Sequence, residues 1–310
     1  MRIAIVGAGF AGIAAAYFLS RLGNVTLFAE GAGASHVSSG LVHPFPGKSC
    51  RLGARAIEGL AETRRLVEIA SRHVDGPVAD VGGIIRLTSR DVAAPYLGDE
   101  VAWWDEEQVA AAFPGTHSGG MAIASGMTIY PKLYLQGLLR AAGIAITPRK
   151  IERRSDLDDF DRVVFAAGAG IGSLFPELPL RYVKGQSIGI EAPFSLPMSL
   201  VGNGYIAKVP SEGTWHVGST YERDMKSAEP SLEEARRLIE PKLRSYIDLP
   251  GVIVPTRVAS GIRVFHRQSH LPLIVHPDKR TSIITGLGSR GLLYHALLAR
   301  DLTEMVASTA

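Results

Sequence analysis

The sequence predicts an α/β fold, with a Rossmann-like domain joined to a second α+β domain built on a mixed β-sheet. Three observations support this fold class. Short apolar runs of buried-strand type alternate with helix-forming stretches at the start of the chain. Glycine-rich turns follow several of the predicted strands. Segments rich in strand-forming residues lie between the predicted elements of the first domain and predict the second sheet.

The composition limits the class of protein. The chain has 310 residues, of which 34 are glycine, 46% are hydrophobic and 20% are charged. This balance is typical of a globular α/β protein with many tight turns and excludes a disordered or fibrous chain. The single cysteine, Cys50, excludes an internal disulfide framework and fits a reducing compartment. A reactive thiol or a cofactor attachment point is the alternative role for this residue.

The amino-terminal segment is apolar enough to imitate a signal peptide. Arg2 supplies the only positive charge before residue 20, and glycines interrupt the apolar run. No other stretch approaches the roughly 18 uninterrupted apolar residues that a membrane helix needs. We therefore expect a cytoplasmic protein without a membrane partner. Its net charge of +3 permits acidic partners without requiring them.

The first domain is assembled from segments that are far apart in the chain. Its predicted elements are strand 2–6, helix 11–22, strand 25–29, helix 52–73, strand 162–167, strand 282–285 and helix 291–306. Strands that end in similar glycine turns are expected to share one sheet. We therefore predict that residues 1–77, 127–179 and 257–310 form the first domain. Residues 78–126 and 180–256 then form the second domain.

The second domain is predicted to be rich in strands. Residues 82–89 and 180–192 have a strand-like composition, and residues 204–210 and 214–219 predict a hairpin. A helix is predicted to start at Pro230 and to run to about residue 246, because acidic residues follow the proline in the first turn.

A glycine motif follows the first strand and opens the first helix. The residues are Gly7, Ala8, Gly9, Phe10, Ala11 and Gly12. In this position Gly7 permits the tight turn, Gly9 lets a pyrophosphate approach the backbone, and Gly12 lets helix and strand pack closely. The unpaired N–H groups at the start of the helix then face the phosphates. The motif, including Phe10 and Ala11, predicts a dinucleotide site.

An acidic residue supports this interpretation. Glu30 ends the second strand, at the distance where a carboxylate reaches the ribose hydroxyls of the nucleotide. The alternative is that the glycines only make turns and that Glu30 is a solvated charge. Both FAD and NAD are compatible with this motif alone.

Further motifs resemble the D-amino-acid oxidase (DAO) superfamily of FAD-dependent oxidoreductases. They occur in the family's order along essentially the whole chain, at residues 33–44, 163–170, 180–186, 261–263, 271–274 and 286–292. The resemblance implies FAD as cofactor, a glutathione-reductase-like FAD-binding Rossmann-like domain and a separate substrate domain. It also implies oxidation of a carbon–nitrogen bond, with hydride transferred to flavin N5.

The resemblance assigns cofactor contacts to particular residues. These are Ser38, Ser39, Gly40 and Leu41 beside the flavin, Ile151 at the adenine, Ala167 and Gly168 in the second glycine turn, and Gly286, Gly288, Ser289, Arg290, Gly291 and Leu292 at the flavin pyrimidine edge. Negative charge gathers at that edge on reduction, where a helix N-terminus stabilises it. The alternatives are a flexible surface turn at 38–41 and an ordinary loop before the last helix.

The resemblance also assigns substrate contacts. Arg263 corresponds to the family's carboxylate-binding arginine, and a planar guanidinium grips a carboxylate with two parallel hydrogen bonds. Tyr205 corresponds to a substrate-facing tyrosine. An ordinary ion pair and a half-buried strand tyrosine are the alternatives for these two residues. His43 is either a structural histidine or a flavin contact, including covalent attachment.

Two branches of the superfamily compete for the substrate. Glycine and sarcosine oxidases act on small-molecule amines or amino acids, whereas the flavin domain of the tRNA wobble-uridine modification enzyme MnmC removes a carboxymethyl group from tRNA. Residues 126–131 and 288–292 resemble the second branch, and the loop at 35–48 differs from both. A tRNA substrate would place phosphates near Lys48, Arg51 and Arg290, and bases near Trp103 and Trp104.

Other chemistries are not supported by the sequence. It contains no metal-ligand spacing, no Walker loop, no CxxC pair and no pattern typical of a hydrolase triad. We therefore expect no metal site. A flavin-binding subunit without catalysis of its own is the hypothesis from a different functional class.

Overall fold

The computed structural model describes residues 1–192, 194–211, 213–249, 254–269 and 271–308. The strands are β1 Arg2–Val6, β2 Asn24–Ala29, β3 Leu41–Val42, β4 Ala79–Asp80, β5 Ile84–Leu87, β6 Val101–Trp104, β7 Gly120–Ile123, β8 Met127–Ile129, β9 Ile146–Pro148, β10 Arg162–Phe165, β11 Leu180–Glu191, β12 Ser199–Val201, β13 Tyr205–Lys208, β14 Thr214–Gly218, β15 Pro255–His266, β16 Leu273–Val275 and β17 Thr281–Thr285. The helices are α1 Phe10–Leu19, α2 Ala56–Ser71, α3 Arg90–Ala93, α4 Glu106–Ala112, α5 Pro131–Ala142, α6 Ile171–Leu174, α7 Leu232–Arg244 and α8 Gly291–Ser308.

The first sheet is assembled from distant segments, as predicted. Its strand order in the described part of the chain is β16-β17-β10-β1-β2-β9. The β1, β2, β9, β10 and β17 strands run parallel, and β16 pairs antiparallel at the edge. The apolar run Ile3, Ala4 and Ile5 of β1 is fully buried, because helices cover parallel sheets on both faces.

Two helix starts differ from the sequence-based prediction. The α2 helix begins at Ala56 rather than near residue 52, because the preceding loop folds back and Gly53 N donates to Pro44 O at 3.0 Å. The α7 helix begins at Leu232 rather than at Pro230, because the side chain of Ser231 caps it by accepting from Glu234 N at 3.3 Å. Contacts in the folded chain therefore determine where these two helices begin, which composition alone does not specify.

The second sheet carries the predicted hairpin. Its order in the described part of the chain is β15-β11-β14-β13-β12-β5-β7-β6, and β13 pairs antiparallel with β14. Helix α7 packs on this sheet through Ala235, Ile239 and Leu243, which are all buried and recur at helical spacing.

Two long strands, β11 and β15, pair along almost their whole length. Residues 255–266 therefore belong to the second sheet, although the predicted boundary assigns residues 257–310 to the first domain. The division into domains stays a prediction. A third, three-stranded sheet of order β3-β8-β4 completes the described strands. In the described part of the chain, no helix has the length and apolar character needed to cross a membrane.

Candidate cofactor and substrate site

The predicted glycine turns meet at the carboxyl edge of the first sheet. Strand β10 pairs with β1 on one side and with β17 on the other, so the residues that follow these strands are neighbours. Gly7 has a φ of +108°, and a Cβ there would overlap Ala166 O. Glycine is therefore required at this turn for conformation and for space. Ala167 and Gly168 follow immediately, and Gly168–Gly170 forms a 3-10 turn.

The start of helix α1 presents backbone N–H groups that an anion could accept from. A Cβ at Gly12 would overlap Gly7 O, so the missing side chain lets the helix pack closely on the turn. The first intrahelical bond runs from Ile13 N to Gly9 O at 3.0 Å. The N–H groups of Ala11 and Gly12 therefore have no acceptor within the helix.

Ser35 contributes to this helix start, and the sequence analysis missed it. Its Oγ accepts a hydrogen bond from Phe10 N at 3.1 Å, and a Cβ on Gly9 would lie 2.8 Å from that oxygen. Ser35 lies in the 3-10 turn Ala34–Val37, within the small-residue loop that the family resemblance singled out. A hydroxyl residue in a loop that must reach a helix N-terminus is the signal that could have identified it.

The residues at this edge fit FAD. The Cβ-free turn and the open N–H groups of α1 suit a pyrophosphate. Thr285 Oγ1, at the end of β17, is buried and has no hydrogen-bond partner among the described residues. Such an atom is expected to find a partner when a ligand binds. Glu30 is exposed directly after β2, beside β1, with its carboxylate available for ribose hydroxyls.

The predicted flavin loop is held against strand β8. Gly40 has a φ of +80°, its Cβ would overlap Ile129 O, and its own O accepts from Ile129 N at 2.9 Å. Ser38 Oγ accepts from Gly40 N at 3.2 Å. Leu41 begins β3. The side chain of Ser39 hydrogen-bonds to that of Tyr205. This loop therefore reaches from the first sheet to a strand of the second.

The loop before helix α8 lies against strand β15. Gly288 N donates to Val264 O at 2.8 Å, and a Cβ on Gly288 would overlap the ring of Phe265. Gly286 and Gly288 both have positive φ, at 74° and 52°. Gly291 and Leu292 start the helix, so their N–H groups have no acceptor within it. The loop therefore places a helix N-terminus next to the strand that carries Arg263.

The contacts of three predicted cofactor residues do not indicate whether these residues bind the cofactor. Ser289 is exposed and Arg290 is partly exposed in the loop before α8. Ile151 is buried in the hydrophobic cluster that includes Phe28 of β2. The roles assigned to these residues at the flavin and at the adenine stay predictions.

Arg263 lies in the second half of β15, opposite Val183 of β11. One Nη donates to Ser219 Oγ at 2.9 Å, and the other donates to Thr220 O at 3.2 Å. Burial lowers the pKa of this guanidinium below its usual range, while Tyr205, Tyr221 and Glu222 act in the opposite direction. It forms no ion pair with a carboxylate of the described residues.

Glu222 is near Arg263, but its carboxylate is occupied by other donors. It accepts from Gln186 Nε2 at 2.9 Å and from Thr220 Oγ1 at 2.5 Å. It also lies 3.9 Å from Lys184 Nζ. These contacts fix the segment that holds Arg263 and leave the guanidinium without a direct counter-charge. Sequence reasoning did not identify this network, because its members come from strand β11 and from the segment after β14.

Tyr205 lies close enough to Arg263 for the two groups to shift each other's pKa. Its hydroxyl hydrogen-bonds to the side chains of Ser39 and Ser187, and a Cβ on Gly218 would lie 2.5 Å from it. Burial raises the pKa of Tyr205, although the nearby charge of Arg263 lowers it. The hydroxyl is therefore neutral near pH 7. The structure brings together Tyr205, Arg263 and the loop that contains Ser39.

His43, Cys50, Trp103 and Trp104, which the sequence analysis also named, are packed against other parts of the protein. Burial lowers the pKa of His43 to about 3, with Arg86 contributing, and its Nδ1 accepts from Phe45 N at 3.3 Å. Cys50 is buried. The rings of Trp103 and Trp104 pack against hydrophobic clusters of the second sheet.

The family model described as DAO, FAD dependent oxidoreductase, matches residues 2–305. The tRNA 5-methylaminomethyl-2-thiouridine biosynthesis bifunctional protein MnmC of Caulobacter sp. (strain K31) is 28% identical over 155 residues, covering 48% of this chain and 25% of that protein. MnmC of Maricaulis maris (strain MCS10) is 27% identical over 322 residues, covering 97% of this chain. The match spans 51% of the Maricaulis protein, so the chain corresponds to about half of that relative's length.

Several solved structures share this fold. Glycine oxidase from Geobacillus kaustophilus has a TM-score of 0.77 at 21% identity, covering 98% of this chain and 95% of its own. Iminodiacetate oxidase from Chelativorans sp. BNC1 has a TM-score of 0.78 at 20% identity, covering 99% and 95%. L-α-glycerophosphate oxidase from Mycoplasma pneumoniae, with FAD bound, has a TM-score of 0.81 at 16% identity, covering 99% and 94%.

Proposed function

This chain belongs to the DAO family of FAD-dependent oxidoreductases, and from that premise we propose that it oxidises the carbon–nitrogen bond of an amino acid or a carboxymethylated secondary amine. FAD is its cofactor. The proposal concerns the substrate, which must carry a carboxylate beside the amine. It replaces the hypothesis of a flavin subunit without catalysis, since the family is one of oxidoreductases.

The proposal rests on the partial burial of the Arg263 guanidinium and on its lack of a carboxylate partner among the described residues. Arg263 is partly buried, and a partly buried guanidinium without a carboxylate partner is unfavourable, because burial removes hydration without supplying an opposite charge. Its two described hydrogen bonds, to Ser219 and Thr220, use only part of its five N–H donors. A bound carboxylate would supply the missing charge and accept two parallel hydrogen bonds.

The other residues then have distinct tasks. Tyr205 offers a neutral hydroxyl that can orient the substrate amine or carboxylate, and Ser39 restrains that hydroxyl from the loop. The Gly7–Gly12 turn and the N-terminus of α1 would hold the pyrophosphate of FAD. The N-terminus of α8 would face the pyrimidine edge of the flavin. Bound FAD supplies a hydride acceptor at flavin N5.

The reaction balances without a general base. A neutral amine loses a hydride from the carbon between its nitrogen and the carboxylate, and the nitrogen releases a proton, which leaves an imine. Water then hydrolyses the imine to an amine and an oxo acid. Arg263 contributes by fixing the orientation of the carbon that loses hydride, since positioning of the reacting atoms accounts for much of such a rate enhancement.

A tRNA substrate is the second candidate. The two relatives described above are named as tRNA-modifying proteins. Lys48 and Arg51 are exposed in the loop between β3 and α2, and such cations could contact tRNA phosphates. The packed rings of Trp103 and Trp104 do not favour base stacking. We therefore place the small carboxylated amine first.

The first experiment tests cofactor and substrate together. We expect the purified protein to be yellow and to release FAD on denaturation. Under anaerobic conditions, glycine, sarcosine or iminodiacetate should bleach the flavin absorbance, whereas ethylamine, which lacks the carboxylate, should not. Bleaching by tRNA that carries carboxymethylaminomethyl uridine, and by no small amine, would favour the second candidate. If no carboxylated amine bleaches the flavin, the proposal fails.

An Arg263→Met variant tests the carboxylate clamp. Loss of a charge-assisted, bidentate contact should lower kcat/KM for a carboxylated amine by about 100-fold. The matched control is Arg257→Met, on an exposed residue of the same strand, which should leave kcat/KM nearly unchanged. Unchanged turnover in the Arg263 variant would remove this residue from substrate binding.

A further inference from the structure

A second cation lies beside Arg263. Lys242, near the end of helix α7, donates from Nζ to Ser219 O at 2.7 Å. The same Ser219 accepts from the guanidinium of Arg263 through its Oγ at 2.9 Å. One residue therefore contacts both cationic groups, which come from different elements and lie close enough for their charges to interact. Lys242 is half-buried, although lysine is usually exposed.

Lys242 differs from the arginines of its own helix. Each of those arginines pairs with a glutamate of α7: Arg236 with Glu240 at 3.8 Å, Arg237 with Glu234 at 2.5 Å, and Arg244 with Glu240 at 2.9 Å. Lys242 has no such partner among the described residues. Burial lowers the pKa of its ammonium group, and the positive charges of Lys48 and Arg263 lower it further.

The local charge is therefore unbalanced. Ser219 O satisfies one hydrogen bond of Lys242 but does not neutralise its charge. Arg263 makes no direct ion pair with a carboxylate of the described residues either, because the nearby Glu222 is held by Gln186, Thr220 and Lys184. Two cations that share one residue repel each other in a partly dehydrated space. An anionic ligand would turn that repulsion into attraction.

We propose that Lys242 binds a second anionic group of the substrate while Arg263 binds the carboxylate next to the amine. The preferred substrate is then a small amine with two anionic groups, such as a dicarboxylate. This inference rests on the proposed function, since it assumes that Arg263 contacts the first carboxylate. A structural role alone does not explain why a lysine that meets only a backbone oxygen lies next to another unpaired cation.

The test uses two inert ligands that differ by one charge. Thiodiglycolate carries a carboxymethyl group on each side of a sulfur, and methylthioacetate replaces one of these groups with a methyl. Neither ligand can form an imine, so binding is measured apart from turnover. Isothermal titration calorimetry on the FAD-loaded protein should show that thiodiglycolate binds about tenfold or more tightly than methylthioacetate, as expected for one added charged contact.

Variants assign the preference to Lys242. In Lys242→Met the preference for the dianion should fall to about twofold or less, because the second carboxylate loses its charged partner. The control is Lys279→Met. This exposed lysine precedes β17, at the amino ends of the parallel strands, whereas the candidate site is at their carboxyl ends. The control variant should keep the full preference for the dianion. The proposal is overturned by equal affinities in the unmodified protein, by no binding of either ligand, or by a preference that survives in Lys242→Met.

Failure of the inference is distinguishable from failure of the proposed function. Anaerobic bleaching by sarcosine tests amine oxidation without needing a second anion. Bleaching together with equal affinities for the two ligands would refute only the role of Lys242. A dianion preference that depends on Lys242, in a protein that no amine bleaches, would refute only the amine oxidation.

Discussion

Gly185 lies next to the guanidinium of Arg263, on the neighbouring strand β11. A Cβ at this position would overlap the guanidinium nitrogens. The missing side chain therefore creates the space in which the arginine lies. Because the overlapping atoms are the far end of a flexible side chain, a larger residue would displace the guanidinium rather than disrupt the strand. This single position links the sheet to the proposed substrate contact.

We predict that Gly185→Ala keeps the fold and raises KM for a carboxylated amine by about tenfold, since misplacing a charge-assisted contact costs about 1.4 kcal/mol or more. Steady-state kinetics and the melting temperature measure the two effects separately. Gly189→Ala is the matched control, because a Cβ there would lie 2.8 Å from Thr256 Oγ1 and away from Arg263. Equal KM values in both variants would contradict the prediction.

At the scale of secondary-structure elements, the starts of α1 and α8 are the main features of the site. Each helix begins directly after a glycine turn at the carboxyl edge of the first sheet. Their first-turn N–H groups supply partial positive charge where FAD phosphates and the flavin ring are expected. Ser35 uses one of these groups, Phe10 N. The loop that contains Ser35 thereby stabilises the helix start.

We predict that Ser35→Ala lowers the free energy of unfolding of the FAD-free protein by about 1 kcal/mol, because Phe10 N loses its acceptor. Urea denaturation measures this change. Ser49→Ala, at an exposed serine in the loop before α2, should alter the free energy of unfolding by less than about 0.5 kcal/mol. A Ser35 variant as stable as the Ser49 variant would exclude a capping role for the hydroxyl.

At the scale of the whole molecule, strand β15 joins the two sheets. It pairs with β11 of the second sheet, and a Cβ on Gly261 would lie 2.9 Å from Ala34 Cα, in the loop of the first domain. Phe265 lies against Gly288 of the loop before α8. Arg263 stands between these two contacts. The proposed substrate residue Arg263 and the loops proposed to hold the cofactor are therefore connected by one continuous strand.

Buried histidines make the stability of the whole molecule dependent on pH. His295 Nδ1 lies 3.1 Å from the carbonyl oxygens of Gly291 and Leu292, so it carries the proton. Its Nε2 therefore accepts from Tyr134 Oη, at 2.5 Å. Burial lowers the pKa of His295 to about 4, even though these carbonyl contacts raise it. The unfolded chain consequently binds a proton at a higher pH than the folded chain does.

Because the pKa of His295 is lower in the folded chain than in the unfolded chain, acid lowers the stability of the protein. The contribution of His295 to stability is complete above its unfolded pKa, near 6.5, and is lost as the pH falls towards 4. Between pH 7.5 and pH 5 we expect the free energy of unfolding of His295→Asn to fall by about 2 kcal/mol less than that of the unmodified protein. Urea titrations at both pH values measure this difference. The control variant His117→Asn changes an exposed histidine. Its free energy of unfolding should fall between the two pH values as much as that of the unmodified protein.

The fold of the first domain was largely predictable from local patterns. The buried run 2–6, the turn Gly7–Gly12 and the acidic Glu30 are close together in the chain, and each has a conformation that its own residue types favour. The strands that the sequence predicts at 162–167 and 282–285 join this same sheet as Arg162–Phe165 and Thr281–Thr285. The hairpin β13–β14 was predicted for the same local reason.

The surroundings of Arg263 were decided by the tertiary structure. Sequence resemblance named Arg263 and Tyr205, but Gly185, Ser219 and Lys242 come from β11, the segment after β14 and helix α7. No local pattern relates these residues. The amino-acid sequence determined the family, the cofactor and the glycine turns, because such turns depend on backbone geometry within a few residues. Folding alone determined which charges remain without a partner, because that depends on which distant side chains meet.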